Sequence, residues 1–104
     1  PSMFEELGIE NKITHYRENI CDLATIHKLF QKIQPDFVFH LAAQSIVSKS
    51  YESPVDTMNT NIIGTVNILE SLRFLEKPSN AVMITSDKCY DNIECVWGYR
   101  EKDR

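Results

Sequence analysis

Two short apolar runs, FVFHL at residues 37–41 and AVMIT at residues 81–85, flank a long amphipathic segment, and this alternation limits the chain to few folds. A continuous apolar run of strand length reads as a strand covered on both faces. Between the runs, Ser53 can cap a helix, Pro54 suits its first position and Asp56 fits the capping-box site. The apolar stripe of that helix runs through Met58, Ile62, Val66, Leu69 and Leu72 and ends near Leu75, with Pro78 marking the exit. Upstream, Asp22 opens a second helix with apolar positions Leu23, Ile26, Phe30 and Ile33, stopped after Gln34 by Pro35. Residues 13–16 give a third strand candidate, and Met3 to Leu7 a short helical turn ending at Gly8. The order strand, helix, strand, helix, strand predicts βαβ units on a parallel sheet. Right-handed crossovers would place helices on both faces, giving a doubly wound, Rossmann-like α/β fold, here incomplete.

Bulk properties narrow the function. With 104 residues the chain makes one small domain with a marginal core. A net charge of −4 and no basic stripe argue against nucleic acid as a partner. The three cysteines, Cys21, Cys89 and Cys95, give neither a disulfide framework nor a zinc knuckle, so reduced thiols in a cytoplasmic protein are expected and no metal is assigned. No apolar run has membrane-spanning length and no signal peptide is seen. The start at Pro1 and the charged close from Arg100 to Arg104 suggest an internal segment.

In doubly wound sheets, ligands gather at the carboxyl ends of strands. That rule groups Asp22, Ala42 to Ser45 and Ser86 to Tyr90 on one edge. Ala42 and Ala43 let the backbone approach a flat or phosphorylated ligand, or simply allow tight helix packing. Gln44 and Ser45 add hydrogen-bonding groups. Asp22 can accept from an adenine amino group or cap its helix, and spacing alone favours the cap. Ser86, Asp87 and Lys88 join a hydroxyl, an acid and an amine, which can polarise a hydroxyl and donate and accept protons. The same residues also compose an ordinary solvated turn. His40 reads as a core histidine, His15 and His27 as surface residues. Tyr90, Trp97 and Tyr99 form an aromatic cluster suited to a binding wall or a plug over the sheet edge.

Three motifs carry a resemblance: FHLAAQS at residues 39–45, TNIIGT at 60–65 and ITSDKCY at 84–90. They resemble the extended short-chain dehydrogenase/reductases, the NAD(P)-dependent epimerases and dehydratases of nucleotide sugars. The run Asp87–Lys88–Cys89–Tyr90 with WGYRE (Trp97 to Glu101), and the opening PSMFEELGI, are similar to the CDP-glucose 4,6-dehydratase branch. Cys95 stands where a Trp is more usual. The resemblance implies an NAD cofactor and a nucleotide-sugar substrate, CDP-glucose, in deoxysugar and surface-polysaccharide (lipopolysaccharide) biosynthesis. It implies that Asp22 and Leu23 meet the adenine, that Leu41, Ala42, Ala43 and Gln44 line the NAD, and that Gln44 and Ser45 lie near the sugar. It implies that Thr60 touches the cofactor and Asn61 braces the site. Ser86 would hydrogen-bond the sugar 4-hydroxyl, Asp87 would protonate the departing 6-hydroxyl and Lys88 would remove the C5 proton. A homo-oligomer is expected of the full-length enzyme.

Two family parts have no counterpart in these residues. Gly8, Gly64 and Gly98 form no GxxGxxG, so the phosphate-cradling turn is missing. Tyr99 has Asp103, not Lys, four residues on, so no Tyr and Lys share a helix face in the YxxxK manner. The chain is therefore expected to be the central part of an NAD-binding Rossmann-like domain over residues 1–104, without the Gly-rich unit and the substrate domain, and inactive alone. The competing readings are another nucleotide-sugar dehydratase or epimerase, and a non-catalytic Rossmann-like binding module.

Overall fold

The structure, a computed structural model, describes residues 2–104, and of Asp87 the backbone only. Helix α1 (Met3–Glu6) is closed by a capping box in which the Ser2 hydroxyl and the Glu5 carboxylate each accept the other residue's backbone N–H. A 3₁₀ turn, Ile9–Asn11, follows Gly8, whose φ of 56° is the left-handed conformation glycine adopts without strain. Residues 13–16 form no strand. They enter an irregular segment held by its side chains: the Lys32 ammonium lies 5.3 Å from the Tyr16 ring centroid, and Asn67 Nδ2 donates to the Ile20 carbonyl at 2.8 Å.

Helix α2 (Leu23–Ile33) starts and stops where its sequence signals place it. Asp22 is the cap, and Gln34 ends the helix in the left-handed region with φ 48°. Strand β1 (Phe37–His40) follows. After it come α3 (Val47–Glu52), α4 (Pro54–Met58), a π turn (Asn59–Ile63) and α5 (Gly64–Arg73), then strand β2 (Asn80–Met83). The strands pair in parallel, Phe37 opposite Asn80 and His40 opposite Met83. Ile84 N–H donates to the His40 carbonyl at 3.1 Å and extends the ladder by one step. This is one βαβ unit, whose crossover is the α3–α5 run.

The core is small. Ile26 and Phe30 of α2 and Ile68 of α5 are buried together, with Ile20, Val38, Leu72, Leu75 and Met83 packed around them. The two long helices pack on each other and on one face of the strand pair. Among the described residues nothing covers the other face, where Phe37 and Phe39 are 64% and 65% exposed. This corrects the expectation of strands buried on both sides. The strand period turns Val38 and His40 toward the helices and the phenylalanines away.

The crossover helix brings two further corrections. Ser53 makes no side-chain cap. Its carbonyl instead accepts the Thr57 N–H and hydroxyl, at 3.1 and 3.0 Å. The apolar stripe of Met58, Ile62, Val66 and Leu69 is exposed, and the face against α2 consists of Gly64, Asn67, Ile68 and Ser71. Close packing explains the choice. A Cβ on Gly64 would lie 2.7 Å from Ile20 Cγ1, so only glycine lets the helix approach the segment before α2.

Candidate functional site

The parallel register sets the residues after β1 and after β2 side by side on one edge of the sheet, at the carboxyl ends of both strands. The chain leaves the sheet at this edge twice, at Leu41 after β1 and at Ile84 after β2. The loop after β1 is tied down from the crossover helix. Asn61 Oδ1 accepts the Gln44 N–H at 2.8 Å, and Asn61 Nδ2 donates to the Gln44 carbonyl at 3.0 Å. One carboxamide so satisfies both backbone groups of one residue, as a neighbouring strand would. Gln44 spends its own side chain inward: Oε1 accepts the Ile46 N–H at 2.8 Å, and Nε2 donates to the Ile46 carbonyl and to Thr57 Oγ1, both at 3.1 Å.

The π turn sets this clamp in place. Gly64 N–H donates to the Asn59 carbonyl, an i→i+5 bond. Thr65 Oγ1 donates to the Asn61 carbonyl at 2.7 Å and lies 3.1 Å from His40 Nε2. With the threonine proton used on Asn61, the imidazole must be the donor, so buried His40 carries a proton on Nε2. A chain of hydrogen bonds thus runs from β1 through the π turn to the loop.

Thr60, from the same turn, borders an open crevice of about 730 Å³ with Ala42, Ala43 and residues 15–20. The alanines keep its floor free of side-chain bulk. Asp22 and Leu23 lie outside it. Asp22 accepts the Thr25 N–H at 3.2 Å and the Thr25 hydroxyl at 2.7 Å, which is a helix cap. Those two bonds, the hydroxyl first, hold its carboxyl below the ordinary value of 3.8. Leu23 borders an apolar groove with Ala24, His27, Glu70 and Phe74 between α2 and α5. The wall facing Ala42 and Ala43 includes Asn19 and Ile20, which the sequence reading did not single out. The signal available was position, since both immediately precede the helix that Asp22 caps.

At the other strand end, Ser86 Oγ accepts the Lys88 N–H at 3.1 Å, and the Ser86 carbonyl accepts from Cys89 Sγ at 3.1 Å. These bonds fold Asp87–Cys89 into a 3₁₀ turn. Ser86 and Lys88 are exposed on this edge, and the role given to the Asp87 side chain lies outside the described residues. Leu41 and Ser45 are exposed too, on the loop that Asn61 holds. Among the described residues no three His, Cys, Asp or Glu side chains come together as a metal-binding group. None of their helices is long and apolar enough to cross a membrane.

Comparison with known proteins agrees with this geometry. The family described as GDP-mannose 4,6 dehydratase matches residues 3–103. A CDP-glucose 4,6-dehydratase from Salmonella typhimurium is 42% identical over 103 residues, which is 99% of this chain and 29% of that protein. A dTDP-glucose 4,6-dehydratase from Haemophilus influenzae is 50% identical over 69 residues, 66% of this chain and 20% of its own. Among solved structures, Pal from Bacillus thuringiensis superposes with a TM-score of 0.73 at 28% identity, over 84% of this chain and 27% of that one. A UDP-glucose 4-epimerase from Thermus thermophilus, solved in complex with NAD, gives 0.57 at 32% identity, over 60% of this chain and 20% of that one. The chain spans less than a third of the length of these relatives.

Proposed function

Since the chain belongs to the GDP-mannose 4,6-dehydratase family, we propose that it is the central part of a CDP-glucose 4,6-dehydratase, a nucleotide-sugar lyase. The observation that carries the reading is that the run Ser86–Asp87–Lys88 follows β2 on the sheet edge where β1 also ends, in the loop that Asn61 clamps. The substrate is CDP-glucose and the product a 4-keto-6-deoxy sugar nucleotide, for deoxysugar and lipopolysaccharide assembly in the cytoplasm.

The crevice over Ala42 and Ala43 suits part of an NAD molecule, because small side chains admit a flat ring against backbone. Thr60 is a polar group at its rim and Ala42 and Ala43 form its floor, with Leu41 and Gln44 adjoining them on the same loop. Asn19 and Ile20 line its wall, and Asp22 and Leu23 that follow them are read as the adenine contacts. When bound, NAD supplies temporary hydride acceptance at C4 and its later return to C6. The protein residues handle position and protons. Ser86 hydrogen-bonds the sugar 4-hydroxyl. A C4 ketone acidifies C5–H, which Lys88 removes while Asp87 protonates the leaving 6-hydroxyl. Ser45 and the backbone of Gln44 are read as lying near the sugar, on the loop that the clamp holds.

Without a phosphate-cradling glycine turn or a YxxxK pair, residues 1–104 alone neither hold NAD tightly nor turn over. The exposed helix face of Met58, Ile62, Val66 and Leu69 fits a homo-oligomer of the full enzyme. The test is product analysis on the complete polypeptide that carries this chain, offered CDP-, dTDP-, UDP- and GDP-sugars. A 4-keto-6-deoxy product formed with preference for CDP-glucose is expected. A 4-epimer, or preference for another nucleotide, overturns the assignment.

A further inference from the structure

Past β2 the chain builds a second recess, which shares Lys88 with the proton chemistry above. It is a cleft of about 450 Å³ lined by Lys88, Tyr90, Asn92 and Tyr99. The two tyrosine rings are stacked, with centroids 5.1 Å apart and planes 16° from parallel. Their placement is enforced by polar contacts. The Tyr99 hydroxyl donates to Asn92 Oδ1 and accepts the Ile93 N–H, each at 3.1 Å. Asn92 Oδ1 also accepts the Glu94 N–H at 3.1 Å, closing a turn in which Glu94 holds a φ of 52°. The Asp91 N–H donates to the Arg104 carbonyl at 2.6 Å and closes the outer ends of the segment.

A plug over the sheet edge would bury its apolar side chains. Here Ile93 is 69% exposed and Trp97 74%, so the segment shields no core. What it does is hold two parallel rings next to Lys88. A pyranose presents a face of C–H groups that packs on an aromatic ring, and hydroxyls around its rim for amide and amine partners. The stack, Asn92 and Lys88 supply that set of groups in one cleft.

We propose that the Tyr90–Tyr99 stack is a wall of the hexose subsite, seating the pyranose of the nucleotide sugar against Lys88. The inference rests on the dehydratase reading. Tyr90 and Tyr99 act as positioning residues, since they bind sugar and move no proton.

The test uses the complete enzyme with Tyr99→Leu, Tyr99→Phe and Tyr90→Leu. Each is assayed for KM and kcat with CDP-glucose and for competitive inhibition by CDP, which has the nucleotide and no hexose. Tyr99→Leu and Tyr90→Leu should each raise KM roughly tenfold, the loss of one good aromatic contact, while CDP inhibition stays within about twofold. Tyr99→Phe keeps the ring and loses the hydroxyl that fixes it, so its KM should rise less than that of Tyr99→Leu. Parallel weakening of CDP-glucose and CDP, or an unchanged KM in both leucine variants, overturns the wall. If one leucine variant fails to fold, the other decides. An unmodified enzyme that makes no 4-keto product overturns the dehydratase reading instead, and the subsite with it.

Discussion

Asn61 commits both ends of its carboxamide to the backbone of Gln44, so its removal exposes two backbone groups at once. Asn61→Ala should cost about 1–3 kcal/mol, at ~0.5–1.5 kcal/mol per hydrogen bond, and speed exchange of the Gln44 amide proton measured by NMR. Asn61→Asp should be intermediate, keeping the acceptor and losing the donor. Gly64 gives a steric counterpart. Gly64→Ala should lose about 1–3 kcal/mol in urea unfolding through overpacking, and Ile20→Ala in the same chain should recover part of it. Asp22 gives a pH effect with a definite sign. Its carboxyl lies below the ordinary 3.8 when folded, so its contribution is present above that pH and is lost as pH falls through the lowered value. Asp22→Asn should flatten that part of an acid-melting curve. At this scale the sequence was partly legible. The helix cap was readable because Asp before an amphipathic run has one local use. Adenine contact at Asp22 and Leu23 came from resemblance, and the crevice lining at Asn19 and Ile20 depends on packing that no local pattern encodes.

Among the elements, α2 matched its periodicity at Ile26 and Phe30, which are buried, while Leu23 and Ile33 are exposed, and its end is set by Pro35. The crossover helix did not. Its apolar stripe faces outward at Met58, Ile62, Val66 and Leu69 and reaches the core only at Leu72 and near Leu75, and the buried side is Gly64, Asn67, Ile68 and Ser71. Hydropathy cannot register that side, since closeness there is won by small residues and by an amide bonded to the Ile20 carbonyl. The contrast is measurable. Ile68→Ala should destabilise by about 2–5 kcal/mol in urea unfolding, whereas Val66→Ala should change little, because Val66 is 51% exposed. The hydroxyl of Ser71 is buried and has no hydrogen-bond partner among the described residues, so Ser71→Ala should be neutral or slightly stabilising.

At the scale of the molecule, the radius of gyration is 16.7 Å. A compact chain of about 100 residues measures ~13 Å, so the excess reflects a one-sided core and extended end segments. Parallel pairing and fold class were legible, because short apolar runs joined by an amphipathic crossover have few other solutions. The number of strands and covered faces was not, since those depend on neighbours that no local pattern encodes. Phe37 and Phe39 form an apolar patch on the bare side of the sheet. Phe37→Ser with Phe39→Ser should reduce self-association of the isolated chain in sedimentation velocity without lowering its melting temperature.

The π turn has one more consequence. A helix carrying such a turn holds one residue more than its regular counterpart spanning the same points, and the segments on either side keep their mutual orientation. Deleting a single residue within 59–63 should therefore restore an unbroken α-helix and keep Ile68 and Ser71 turned to α2. The urea midpoint should change little, while the Gln44 amide proton exchanges faster because the loop after β1 loses its anchor. The extra residue is thus a separable module, one step of chain length that serves the site and not the fold.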